Sequence, residues 1–201
     1  MPRDEYAYIL EYLPYGMADS KDRRPSAIAL TESLGLLLVV LKKDVKVQPG
    51  QKVYIGEDKR EEVHHIVERI PPDKLSSAGS LLLKERIHEI VIENEKKYVE
   101  LINKLGPINV RLHAINLIPG MGKKTGQKLL SERTLKPFES YQEIKERVGL
   151  STTMDKAIED RIMEELYNKD KYKIFTQGVV FYPVRIGGSS SSGNMTLNED
   201  D

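Results

Sequence analysis

Along the first 70 residues, short apolar runs alternate with turn signals at a spacing suited to strands. Tyr6-Ala7-Tyr8-Ile9-Leu10-Glu11-Tyr12-Leu13 is rich in aromatic and apolar side chains and runs into Pro14 and Gly16. Residues 27–30 and 36–41 are apolar with β-branched members, separated by Glu32-Ser33-Leu34-Gly35. Val45-Lys46-Val47 alternates and stops at Pro49-Gly50, and residues 53–56 and 63–70 follow. Several short strands punctuated this way predict a small β-barrel over residues 1–72.

At Pro71-Pro72 the period changes. Between residues 73 and 170 apolar positions recur every three or four residues, as on a helix face. Leu82, Leu83, Ile87, Ile90 and Val91 start a face that Val99, Leu101, Ile102 and Leu105 continue, until Gly106-Pro107 ends it. Further helices are predicted over 110–117, 123–133, 140–148 and 154–167. Residues 172–186 return to β character through Val179-Val180-Phe181-Tyr182. Residues 187–201 are rich in Gly and Ser, end in Glu199-Asp200-Asp201, and read as a disordered acidic tail. The expected class is α+β: a barrel domain (1–72), a helical domain with a late β segment (73–186) and a tail (187–201).

Composition narrows the chemistry. Cysteine is absent, which excludes disulfides and thiolate metal sites and suits a reducing compartment. The longest strongly apolar run, residues 34–41, is far too short to span a bilayer, and residues 1–10 lack the apolar core of a signal peptide. A cytoplasmic protein without a membrane partner is expected. Lys and Arg total 31, as do Asp and Glu, so any basic surface must be local.

One segment supplies such a surface. In Leu117-Ile118-Pro119-Gly120-Met121-Gly122-Lys123-Lys124-Thr125-Gly126, Pro119 stops one predicted helix, because the residue before a proline is pushed out of the α region. Gly120 and Gly122 permit a tight turn and leave the backbone bare for a ligand. Met121 is expected to point inward as a plug. A second helix begins near Gly122, and its first N–H groups lack internal partners and carry partial positive charge. That is an anion site suited to a phosphate oxygen. Lys123 and Lys124 in the first turn are unfavourable in isolation but sensible beside an anion, and Lys128 adds charge one turn on. Arg111 and Arg133 extend this basic island, with Glu132 the one acid in it. Phosphate contacts carry no sequence code, so the expected binding is sequence-independent.

In register, Leu117, Pro119-Gly120-Met121-Gly122, Gly126, Leu129 and Arg133 resemble the helix-hairpin-helix motif, with Gly126 where alanine is commoner. Residues 138–149 resemble the stretch that often follows such hairpins. Tyr6–Tyr12, Arg23-Arg24-Pro25 and the hairpin together resemble the archaeal family known as domain of unknown function 655, over about residues 3–182. That resemblance implies an oligonucleotide-binding-like (OB-like) barrel joined to a helix-hairpin-helix domain, and a nucleic-acid-binding role without an assigned activity. Its hint of translation or ribosome-related work makes RNA the preferred ligand, although motif physics alone does not separate RNA from DNA.

Other signals are weaker. Lys21, Arg23 and Arg24 are possible secondary nucleic-acid contacts on a barrel loop, offset by Asp19 and Asp22. Tyr6, Tyr8 and Tyr12 share a strand face under simple alternation, suited to stacking bases or to half-burial; Tyr15 is a further stacking candidate. His64 and His65 should point to opposite faces, and no His–carboxylate spacing suggests a metal. No nucleophile or nucleotide-loop motif is present. The expectation is a binding protein with no catalytic residue, cofactor or metal. The alternative is a protein-interaction accessory subunit of a transcription or ribosome-assembly complex.

Overall fold

The computed structural model describes residues 4–18 and 23–176. Five strands form one antiparallel sheet: β1 (Tyr6–Leu13), β2 (Ser26–Thr31), β3 (Leu36–Leu41), β4 (Lys52–Tyr54) and β5 (Val63–Arg69), in the order β4-β1-β2-β3-β5. Both faces of the central strands are covered, so β2 and β3 are buried at every position. This is why residues 27–30 and 36–41 read as continuous apolar runs rather than alternating ones. One face gathers Ala7, Ile9, Ala27, Ala29, Leu37, Val39 and Leu41. Val53 and Val63, from the two opposite edge strands, close over that same cluster. The sheet therefore curls into a half-barrel around its own small core.

Three β-bulges break the alternation. Ile9 pairs with Ala29 and Glu11 with Ile28, so Leu10 is the extra residue on β1. Leu10 and Leu13 pack on the helix-facing core, while Tyr12 packs with Ala7 and Ile9. Tyr12 therefore does not share a face with Tyr6 and Tyr8, contrary to the simple alternation. On β5 the pairs Val40–His65 and Leu41–Val63 leave His64 as the extra residue. The two imidazoles consequently meet, Nδ1 to Nδ1 at 2.8 Å, instead of pointing to opposite faces. The expected strand at Val45–Val47 is irregular chain, held between left-handed Asp44 (φ 63°) and Gly50 (φ 85°).

The helices are α1 (Ser77–Glu93), α2 (Glu95–Lys104), α3 (Lys123–Leu135), α4 (Tyr141–Val148) and α5 (Met154–Leu166). The face expected to run unbroken to Leu105 is split at Asn94, whose side chain donates to the Ile90 carbonyl at 2.8 Å and so competes with the helix. Leu83, Ile87 and Val91 of α1 pack with Leu30, Leu36 and Leu38 of the sheet and with α2–α5 in one large core. Glu11 ties the layers together, accepting the Ser76 N–H at 2.9 Å just before α1.

Residues 110–117 do not form the predicted helix. Short strands β6 (Pro107–Asn109) and β7 (Leu112–His113) pair as a ribbon instead. The Asn109 side chain accepts the N–H groups of Arg111 and Leu112, at 2.9 and 3.0 Å, and that local turn outcompetes helix formation. Only Ala114–Leu117 is helical, as a single 3-10 turn.

After α5 the chain is pinned by a buried carboxylate. Glu165, fully buried, accepts from the Arg161 Nε at 3.0 Å and from the backbone N–H groups of Ile174, Phe175 and Thr176. Residues 172–176 are irregular rather than extended in a sheet. The rest of the expected late β segment and the tail lie outside the described residues.

Candidate nucleic-acid interface

The hairpin is built from a turn that its own sequence dictates. The Met121 N–H donates to the Ile118 carbonyl at 2.9 Å, with Pro119 second and Gly120 third in the turn. Gly120 has φ 81°, the left-handed value that a type II turn demands at that place. Ile118 and Met121 are both 2% exposed, so Met121 is the inward plug that the sequence suggested. Gly120 and Gly122 face open space: a Cβ on either would meet no atom within 4 Å.

α3 starts at Lys123 with Gly122 as its N-cap, and no side chain caps it. The first hydrogen bond into the helix runs from Gly126 N–H to Gly122 carbonyl at 2.8 Å. Among the described residues nothing accepts from the N–H groups of Gly122, Lys123, Lys124 or Thr125. Four donors at the positive end of a thirteen-residue helix are thus left for solvent or a ligand. Lys123 and Lys124 are exposed and form no ion pair among the described residues. Pro119 is half-buried against the core below.

The remaining basic residues divide. Lys128 is exposed, but its Nζ reaches over Gly149 at the end of α4, 3.5 Å from where a Cβ there would stand. It joins the field of the hairpin while also lying at a negative helix end. Arg133 does not belong to the exposed island: its Nη1 donates to the Ile102 carbonyl at 2.8 Å, and burial lowers its pKa. Arg23 and Arg24 sit on the β1–β2 connection, while Lys21 lies outside the described residues. The Tyr8 ring is covered by the Arg86 guanidinium at 3.8 Å, and Tyr6 by the Lys52 ammonium at 4.2 Å. Those two rings stack on the protein's own cations, whereas Tyr15 is 78% exposed.

Two residues that the sequence did not single out, His113 and Asn116, shape the hairpin. His113 caps the 3-10 turn, its Nδ1 accepting the Ile115 N–H at 3.2 Å. Burial first, and then the charge of Arg133, lower the His113 pKa, which favours the neutral ring needed for that cap. Asn116 donates to the Met121 carbonyl at 3.2 Å and so ties the turn to the segment before it. Gly126 makes room for Asn116: a Cβ there would stand 2.5 Å from the Asn116 Nδ2. This accounts for glycine where similar hairpins carry alanine. Asn109, as the turn former, was readable from residue type alone. Among the described residues there is no group of three or more His, Asp or Glu placed to hold a metal, and no helix is long and apolar enough to cross a membrane.

Fold and site together define a mixed α+β protein: a curled antiparallel half-sheet backed by helices, one of which opens with bare amides beside two exposed lysines. The chain belongs to the family described as protein of unknown function DUF655, whose model matches residues 3–177. It is 35% identical over 177 residues to the uncharacterized protein MJ0038 of Methanocaldococcus jannaschii, covering 87% of this chain and 80% of that one. It is also similar to the crystal structure of Af1531 from Archaeoglobus fulgidus, assigned to DUF655, with 36% identity and a TM-score of 0.72. That match covers 87% of this chain and all of the other.

Proposed function

We propose that this protein binds nucleic acid, RNA in preference to DNA, by gripping the sugar-phosphate backbone without regard to sequence. The observation that carries the reading is the start of α3. Four unaccepted N–H groups, two glycines bare of contacts and the exposed Lys123 and Lys124 converge on one helix end. A phosphate oxygen there accepts from the amides while the ammonium groups neutralise its charge. Pro119, Gly120, Met121 and Gly122 act by shaping the turn, and Lys128 by long-range attraction. In this reading the segment is a helix-hairpin-helix whose first helix has shrunk to one 3-10 turn. The half-barrel is its OB-like companion, with Arg23, Arg24 and Lys21 extending the footprint. The protein acts as a binder rather than an enzyme, in the cytoplasm, in translation or ribosome-related work.

The test is a salt titration of binding to random-sequence RNA and DNA. With about two to four phosphates neutralised, the log–log slope should lie near −2 to −4. Lys123→Glu with Lys124→Glu should abolish binding without lowering the melting temperature, since acidic side chains suit the first turn of a helix. Absence of binding at low salt refutes the reading.

One observation favours a protein partner as the second reading. Leu81 and Ile92 are exposed on α1, eleven positions and about three turns apart, and so lie on one face of the helix. An accessory subunit docked through that face predicts salt-insensitive capture that Leu81→Lys with Ile92→Lys removes.

A further inference from the structure

Away from the hairpin, a cleft of about 110 Å³ opens between the β2–β3 turn, the end of β5 and the chain after α5. Leu34, Leu36 and Ile70 give it an apolar side, and Arg69 and Lys173 line it with two cations. Among the described residues neither cation has an ion pair or hydrogen bond to another group. On the Lys173 side the neighbouring carboxylates are committed elsewhere: Glu165 holds the Arg161 Nε at 3.0 Å, and Glu164 and Asp170 lie 3.6 Å from its Nη1. Exposed Arg69 and half-buried Lys173 thus line one small cleft, and among the described residues neither is paired with a carboxylate there, which favours an anion between them.

Among the described residues three non-glycine residues have left-handed backbone, and two of them, Leu34 (φ 61°) and Asn168 (φ 54°), line this cleft from opposite sides. Leu34 takes this conformation to close the β2–β3 turn, its N–H donating to the Thr31 carbonyl at 3.0 Å, and Asn168 to end α5, its N–H donating to the Glu165 carbonyl at 3.1 Å. Gly35 is bare for a reason, since a Cβ there would stand 2.7 Å from the Arg69 Nη1. The guanidinium therefore lies close against the backbone of the β2–β3 turn.

We propose that this cleft is a binding site for a single phosphoryl group, gripped by the planar fork of Arg69 and the ammonium of Lys173. Size decides against a whole nucleotide, because sites for molecules of that size run to about 300–1,000 Å³. The cleft has room for a few waters, or for one tetrahedral oxyanion with the rest of its ligand outside. The group comes either from the terminal monophosphate of a polynucleotide or from free phosphate. The inference stands whether or not the hairpin binds a backbone.

The full chain is titrated at constant ionic strength with inorganic phosphate, with a 5′-phosphorylated oligoribonucleotide, and with the same oligonucleotide bearing a 5′-hydroxyl. Backbone amide shifts of Gly35 and Asn168 are read by NMR. Both phosphate probes should move these amides, and the hydroxyl probe should not. Arg69→Gln with Lys173→Gln should weaken both about a hundredfold, roughly tenfold for each lost charge-assisted contact. Gly35→Ala keeps both charges but displaces the guanidinium, and should weaken both probes about tenfold. Tighter binding of the phosphorylated oligonucleotide identifies a polynucleotide end as the source, and equal binding identifies free phosphate. Lys123→Glu with Lys124→Glu should leave the inorganic phosphate titration unchanged, which separates this site from the hairpin. If neither phosphate probe shifts Gly35 and Asn168, or if the double glutamine variant binds as the parent does, the proposal is overturned.

Discussion

Replacing Gly126 by alanine tests the hairpin's internal geometry. In a helix interior, alanine is favoured over glycine by about 1 kcal/mol. Here the new Cβ would stand 2.5 Å from the Asn116 Nδ2, so Asn116 must swing away. It then loses its 3.2 Å bond to the Met121 carbonyl, worth about 0.5–1.5 kcal/mol. The two effects offset, and Gly126→Ala should change stability by less than about 0.5 kcal/mol. In an Asn116→Ala background the obstacle is gone. The next neighbour, the Ile115 Cγ2, is at an ordinary 3.7 Å, so the same substitution should now stabilise by about 1 kcal/mol. Urea unfolding of the four proteins measures the coupling, with the slopes checked for equality. Equal effects of Gly126→Ala in both backgrounds, within about 0.3 kcal/mol, would show that Asn116 does not explain the glycine.

Three further outcomes follow from buried and paired groups. Proton NMR titration of the imidazoles should place His88 above 6.5, because Glu159 accepts its hydrogen bond and adds negative charge, and His113 below 6.5, because burial and Arg133 oppose its charge. The linked stabilities then run in opposite senses. The His88–Glu159 contribution is complete below pH 6.5 and is lost as pH rises through the raised folded value. The neutral His113 contribution is present above pH 6.5 and is lost as pH falls through the lowered folded value, so His113→Asn, which keeps an acceptor without titrating, should flatten the acid side of the stability profile. Glu165→Gln should destabilise by about 3 kcal/mol, the lower end for a broken buried pair because Glu164 and Asp170 stay near Arg161; hydrogen exchange at Ile174–Thr176 should speed up with it.

The fold was legible wherever a single period ran undisturbed. β2, β3, α4 and α5 lie within a residue or two of where apolar spacing placed them, because burial on a fixed face decides both sequence and structure there. Reading failed where one residue inserts or one side chain competes with the backbone. The bulge at Leu10 moves Tyr12 to the other face, the bulge at His64 brings two imidazoles together, and Asn109 turns a predicted helix into a ribbon. The Pro119–Gly122 turn was readable because proline and glycine state their dihedrals directly. Arg161 and Glu165 share the helical spacing of Ile158 and Ile162, so their place on a buried face was legible in the sequence although their pairing was not. The phosphoryl-sized cleft had no local signature, since Gly35, Arg69 and Lys173 meet only through the fold.

The central claim is that the open amides at the start of α3 hold a phosphate oxygen. Two-dimensional NMR of the labelled full chain, titrated with a short unphosphorylated RNA at low salt, addresses it atom by atom. The amides of Gly122, Lys123, Lys124 and Thr125 should move first and farthest, downfield as hydrogen bonds to an anion form, and return as salt is added. RNA that binds while leaving these four resonances in place would contradict the account.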